Sequence, residues 1–232
     1  IAWLGIRLDE GVAATDAAGT LVAAGWREML ALAALPATVA VLVTLFLYVL
    51  IEQGTGTWLP TFNREILHLP PATSVQMSSI FVAALAAGRL LSGVVLRRVA
   101  WQPVLLGCLG ALAVLVVLAL PLAEDIRPGA GTGWANAPLA AWLFPLAGLF
   151  LAPIYPTICS VVLSALPKQR HPAMIGLIVI FSALGGTIGS FLVGLLFQTL
   201  PGTTAFYFLL VPIALVALAL PLVQRRIESA GA

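Results

Sequence analysis

The chain has 232 residues, 61% of them hydrophobic and only 9% charged. An ordinary soluble domain is roughly 45–50% apolar and about 25% charged, so the composition excludes a water-soluble domain built around one core. The formal charge of +2 gives no argument for a nucleic-acid partner, and none is expected; the placement of the charges bears instead on membrane topology.

The chain begins at Ile1, and the apolar run from Ile1 to Ile6 is too short to span a bilayer. It reads as the end of a helix that lies upstream. Neither a basic leader nor a small-residue cleavage site marks a signal peptide there. Between Arg7 and Glu28 come Asp9, Glu10, Asp16 and three glycines without a sustained apolar face, so 1–28 is expected to be a helix end followed by a cytoplasmic linker.

From there the charges stand far apart. A hydrocarbon layer of ~30 Å needs about 20 apolar residues in a helix. There are 23 uncharged residues between Glu28 and Glu52, 23 between Glu65 and Arg89, 25 between Arg98 and Glu124, 40 between Arg127 and Lys168, and 54 between Arg170 and Arg225. The last run divides at Gln198-Thr199-Leu200-Pro201-Gly202-Thr203, which supplies turn chemistry. Six spans are predicted, over 29–62, 71–96, 101–123, 138–166, 172–198 and 203–223, forming one bundle over 29–226 with a cytoplasmic tail at 227–232. The fourth is preceded by a glycine-rich connection in which Trp134, with Trp142 beyond it, suits a membrane interface.

Arg7, Arg27, Arg97, Arg98, Lys168, Arg170, Arg225 and Arg226 fall on one side of this topology, against Arg64 and Arg127 on the other. The positive-inside bias therefore predicts that both ends of the chain are cytoplasmic.

Glu52 and Arg89 fall at membrane depth, where an isolated charge costs about 2.5–3.5 kcal/mol on insertion scales. Glu52 lies about 15 Å from the outer end of its span at 1.5 Å per residue. Such a carboxyl reads as a proton carrier, an acceptor of substrate hydroxyls, or a hydrogen-bonded brace for a broken helix. Arg89 lies in the inner half, where it can snorkel and act as a gate or bundle-locking charge. Gly54, Gly56 and Pro60 are expected to interrupt the first span, and Pro153 and Pro156 the fourth. Breaks in the first helix of each group of three fit an all-α membrane protein with a 3+3 inverted repeat and a site at the repeat interface. The alternative is that glycine and proline are simply common in membrane helices.

The glycines around Ser182 in the fifth span suit close helix packing first and substrate contact second. Gln76 and Ser79, three apart in the second span, share a face. Cys108 and Cys159 sit in apolar runs and read as small buried hydrophobes; no metal site or cofactor is expected.

With these residues in view, the chain resembles the C-terminal six helices of the twelve-helix major facilitator superfamily, and within it the fucose, glucose and galactose proton-symporter family. The resemblance rests on Tyr48-Val49-Leu50-Ile51-Glu52-Gln53-Gly54-Thr55-Gly56-Thr57-Trp58-Leu59, on Gly88-Arg89, and on Pro156-Thr157-Ile158-Cys159-Ser160. The connection from Gly93 to Leu106 is similar to the superfamily's basic loop signature but has Arg97 and Ala100 where that signature has an acidic residue and a second glycine. The fifth span has the double glycine without the following proline.

The resemblance implies alternating access in a bacterial inner membrane, working with an N-terminal six-helix half, and transport of a sugar such as a hexose or deoxyhexose coupled to protons. Its cavity would be lined by Glu52, Gln53, Gln76, Tyr155 and Ser182, with Trp58 and Tyr48 as stacking or hydroxyl partners, and Glu52 and Arg89 would serve proton coupling or gating. A drug or metabolite exporter of the same superfamily and a truncated, non-transporting membrane scaffold are the alternatives. An intramembrane enzyme is not expected: His68 and His171 lie at helix ends on opposite sides, and no span contains Asp.

Overall fold

In the computed structural model, residues 25–124, 126, 133–200 and 202–231 are described, with side chains to Arg225. Expectations about residues 1–24 lie outside this range. Among the described residues there is no strand, and six helices are long and apolar enough to cross a membrane. They are α1 (Pro36–Glu65), α2 (Pro71–Val95), α3 (Trp101–Glu124), α4 (Leu139–Ala165), α5 (His171–Thr199) and α6 (Gly202–Arg225).

The side chains are arranged as lipid requires. Leu90, Leu118, Phe191 and Leu218 are each at least 60% exposed, an outward apolar surface that water would not tolerate as one continuous belt. The backbone is helical over most of each span, so most of its polar groups are satisfied internally, the condition for crossing hydrocarbon. The chain is an integral membrane protein.

Helix α1 is the most buried of the six and packs on α5, α6 and α2; α2 also packs on α4, and α3 on α4 and α6. Glycines set the two closest crossings. A Cβ on Gly189 would meet the Leu50 backbone, and one on Gly185 the Phe46 carbonyl, so only glycine lets α5 come this near to α1. At the α2–α4 crossing, Gly88 faces the Leu149 carbonyl and Gly148 the Phe81 carbonyl in the same way. Phe62, Phe144 and Phe206 join α1, α4 and α6 with centroid separations of 5.2, 4.8 and 4.9 Å.

Three expected boundaries change. Residues 25–33 form a separate helix, and a bend at Ala34 and Leu35 precedes α1, because Pro36 suits a first helical position but not an interior one. Residues 25–28 are therefore helical rather than linker, and Glu28 approaches Arg170 at 4.0 Å. The backbone of 227–231 continues the last helix, so the expected tail starts as helix. The expected break in the first span is absent: α1 runs through Gly54, Gly56 and Pro60 without interruption.

The expected break in α4 is present. Its helical pieces are Leu139–Leu143, Ala147–Leu151 and Ile154–Ala165, joined by a 3-10 turn at Phe144–Leu146 and a turn at Ala152 and Pro153. Pro145, Pro153 and Pro156 each lack the donor that would continue the ladder.

The α1–α2 junction is tight. His68 takes a left-handed conformation, φ 53°, and the fully buried Asn63 amide donates to the Ser74 carbonyl at 3.2 Å and to the Ser78 hydroxyl at 3.3 Å.

Candidate functional site

Near the middle of α1, Tyr48 and Glu52 lie one turn apart and therefore share a face. The Tyr48 ring is buried at 1% exposure, and its hydroxyl has no hydrogen-bond partner of ordinary geometry. Glu52, Arg89 and Tyr155 are the ionisable groups near enough to act on it electrostatically. Tyr155 reaches the same place from α4, with its ring centroid 5.8 Å from that of Tyr48. It sits just past the helix break, so the turn at Pro153 aims its first side chains inward at this depth. The Ser182 hydroxyl of α5 donates to the Tyr155 hydroxyl at 3.3 Å.

Three helices thus bring a half-buried carboxyl, two phenols and a hydroxyl together. Chemically, this set can accept a proton, donate hydrogen bonds to a carboxylate, and exchange hydrogen bonds with a hydroxylated solute.

Of the residues expected at the site, Glu52, Tyr155 and Ser182 are brought together. Gln53 is exposed beside them, and a Cβ on Gly186 of α5 would meet its side chain at 3.1 Å. Tyr48 is present but too deeply buried to be an open stacking surface, and it serves as an inner wall.

Two others are elsewhere. Trp58 belongs to the α1–α5 crossing: its indole N–H donates to the Ser190 carbonyl at 2.7 Å, its ring stacks on Phe197 at 5.9 Å, and it lies over Gly194. Held by a backbone acceptor, it acts as a pin between helices. Gln76 lies near the Pro71 end of α2, where its Oε1 accepts the Trp134 indole N–H at 2.9 Å. Trp134 in turn meets Trp142 edge-on at 5.5 Å. Counted along the helices at about 1.5 Å per residue, Gln76 stands roughly 12 Å nearer the α1–α2 junction than Glu52 does.

No family model, no curated protein and no solved structure matches the chain. Its function therefore has to be read from its own residues.

Arg89 is exposed, one residue beyond the Gly88 crossing, and forms neither a hydrogen bond nor an ion pair with its side chain among the described residues. It lines a groove of about 610 Å³ at the Val95–Trp101 end of the bundle, with Ser92, Trp101, Pro156, Thr157 and Ser160 among the walls.

The polar groups are unevenly distributed over the bundle. Exposed or half-exposed polar side chains occur at mid-span on α1 (Glu52, Gln53, Thr57), α2 (Ser79, Arg89), α4 (Tyr155, Ser160) and α5 (Ser182, Thr187, Ser190). The middle stretches of α3, 104–119, and α6, 208–223, contain only aliphatic, aromatic, Gly, Pro and Cys residues. Sequence reading missed Asn63 and Ser190. Asn63 had a usable signal, an amide just before a turn that is followed by Ser74 and Ser78 in the first turns of α2. Ser190 had none, because its backbone oxygen is the acceptor.

Proposed function

We propose that the chain is one six-helix bundle of a secondary active transporter, carrying a small polar solute of the sugar class by alternating access against a second bundle, with Glu52 as the proton-linked carboxyl. The observation that carries this reading is the half-buried Glu52 at mid-membrane, beside Tyr48, Tyr155 and Ser182 on three different helices. An ionisable side chain is expensive at that depth and is kept where it faces a pathway or a partner. Two phenols, a serine and an exposed amide offer both donors and acceptors, which suits solute hydroxyls better than an apolar drug.

The helix pairing supports a 3+3 repeat. Exchanging α1 with α4, α2 with α5 and α3 with α6 maps the α1–α5 crossing onto the α4–α2 crossing, and both are glycine-mediated. It also maps the α1–α6 contact onto the α4–α3 contact. On this reading the polar groups around Glu52, Tyr155 and Ser182 on α1, α4 and α5 look toward the solute pathway, and most of the surface of α3 and α6 faces lipid. The basic residues at the Val95–Trp101 end support a topology with both termini in the cytoplasm.

The test uses the full-length protein in sealed vesicles. Glu52→Gln should abolish proton-driven accumulation of a radiolabelled hexose or deoxyhexose while leaving counterflow exchange within about threefold of wild type. Loss of both activities assigns Glu52 to binding or structure. Absence of any sugar flux in the wild type defeats the sugar assignment.

A further inference from the structure

We infer that the groove at Arg89 is a binding site for an acidic phospholipid, lying on the Val95–Trp101 side of the Glu52 cluster and lined by none of Tyr48, Glu52, Tyr155 or Ser182. Three observations converge on it.

The first is an uncompensated charge. Arg89 sits within a membrane span, and its guanidinium has no counter-ion among the described residues; no carboxylate lines the groove. A cation held at that depth favours an anion beside it. The guanidinium fork matches phosphate oxygens two at a time, and the hydroxyls of Ser160 and Thr157 on the facing wall supply further donors. Trp101 closes the end of the groove, at the depth where an indole suits the head-group layer.

The second is an apolar annex. A cavity of about 200 Å³ shares Ser92 with the groove and is otherwise walled by apolar residues, Leu91, Val104 and Phe150 among them. Its α3 and α4 walls lie further from the Val95–Trp101 end than those of the groove, so it runs from the charge toward the membrane interior. A water-soluble anion has no use for such a slot, whereas an acyl chain fills it. Leu91 and Val94 beside it are each more than half exposed, as lipid-facing side chains are.

The third is the surrounding field. Arg97 and Arg98 on the α2–α3 connection, and Lys168 and Arg170 before α5, gather at the same end of the bundle. Basic pockets between spans, with further cations at the membrane surface, are the physical signature of acidic head-group recognition.

The test takes the full-length protein in neutral detergent and measures thermal unfolding and native-mass lipid retention with dioleoylphosphatidylglycerol, with dioleoylphosphatidylcholine and with inorganic phosphate. Phosphatidylglycerol should stabilise the protein and remain bound, with phosphatidylcholine at least about tenfold weaker and inorganic phosphate without effect. Arg89→Gln should weaken phosphatidylglycerol about tenfold or more, and Arg89→Lys by less, because it keeps the charge and loses the fork. Cys108→Phe, which fills the slot from α3, should weaken the lipid while Arg89 is intact. Unchanged phosphatidylglycerol binding in Arg89→Gln overturns the inference. So does stabilisation by inorganic phosphate equal to that by the lipid, which would mark an adventitious anion site. None of these measurements depends on sugar flux, so the lipid site and the transport reading stand or fall separately.

Discussion

Helix α1 carries Gly54, Gly56 and Pro60 and runs unbroken from Pro36 to Glu65, whereas α4, with Pro145, Pro153 and Pro156, is divided into three helical pieces over a similar length. The difference lies in what each punctuating residue meets. A Cβ on Gly54 would touch Val193 of α5 at 3.0 Å, and one on Gly56 would touch Phe81 of α2 at 3.2 Å; these glycines make room for neighbouring helices. Pro60 removes only the bond to Gly56, and the ladder on either side holds it helical. In α4, three prolines within twelve residues free the carbonyls of Ala141, Leu149 and Ala152, and the Leu149 carbonyl turns against Gly88. A buried helix thus absorbs one missing donor, while three in close succession divide it.

The comparison can be broken most sharply at the crossings. Gly189→Val places a side chain into the Leu50 backbone and should cost about 3 kcal/mol, read as a lowered midpoint of detergent unfolding. Gly54→Ala meets a Val193 methyl at 3.0 Å and the Gly189 carbonyl at 3.4 Å, far less tightly than at Gly189, and should cost about 1 kcal/mol. If Gly54 were a helix breaker, that same change would stabilise the protein by up to about 1 kcal/mol, so the sign of the effect decides between the two roles.

Trp58→Phe should lose about 1 kcal/mol with the bond to the Ser190 carbonyl, and solute affinity should stay within about twofold of wild type. A much larger loss of affinity would return Trp58 to the solute site. Pro153→Ala together with Pro156→Ala restores two donors to α4 and should raise stability by about 1 kcal/mol, with Tyr155 displaced and flux through the full-length protein reduced. The smallest effect is expected for Pro60→Ala, below about 0.5 kcal/mol by the same unfolding measurement, since α1 is already continuous there.

The six spans were legible because the length of an apolar run is a property of the sequence alone, and only the first boundary moved appreciably. The bend before Pro36 was missed although Pro36 itself marked it, because the apolar run continues through Ala34 and Leu35, ordinary helix formers, and its length was read as one span. Glycine was ambiguous for a different reason: as a breaker or a packing residue it has the same local sequence, and only the partner helix decides. Glu52, Tyr155 and Ser182 were found as polar residues in apolar company. Gln76 and Trp58 carried the same signal, but Trp134 and Ser190, residues distant in the chain, engage them elsewhere.

The Asn63 amide reaches across from the end of α1 to the first turns of α2, holding both Ser74 and Ser78. A joint braced in this way resists bending, which couples Glu52 on α1 to Arg89 on α2. That leaves the Ala34–Leu35 bend and the proline turns of α4 as the places with fewest helical hydrogen bonds to give way.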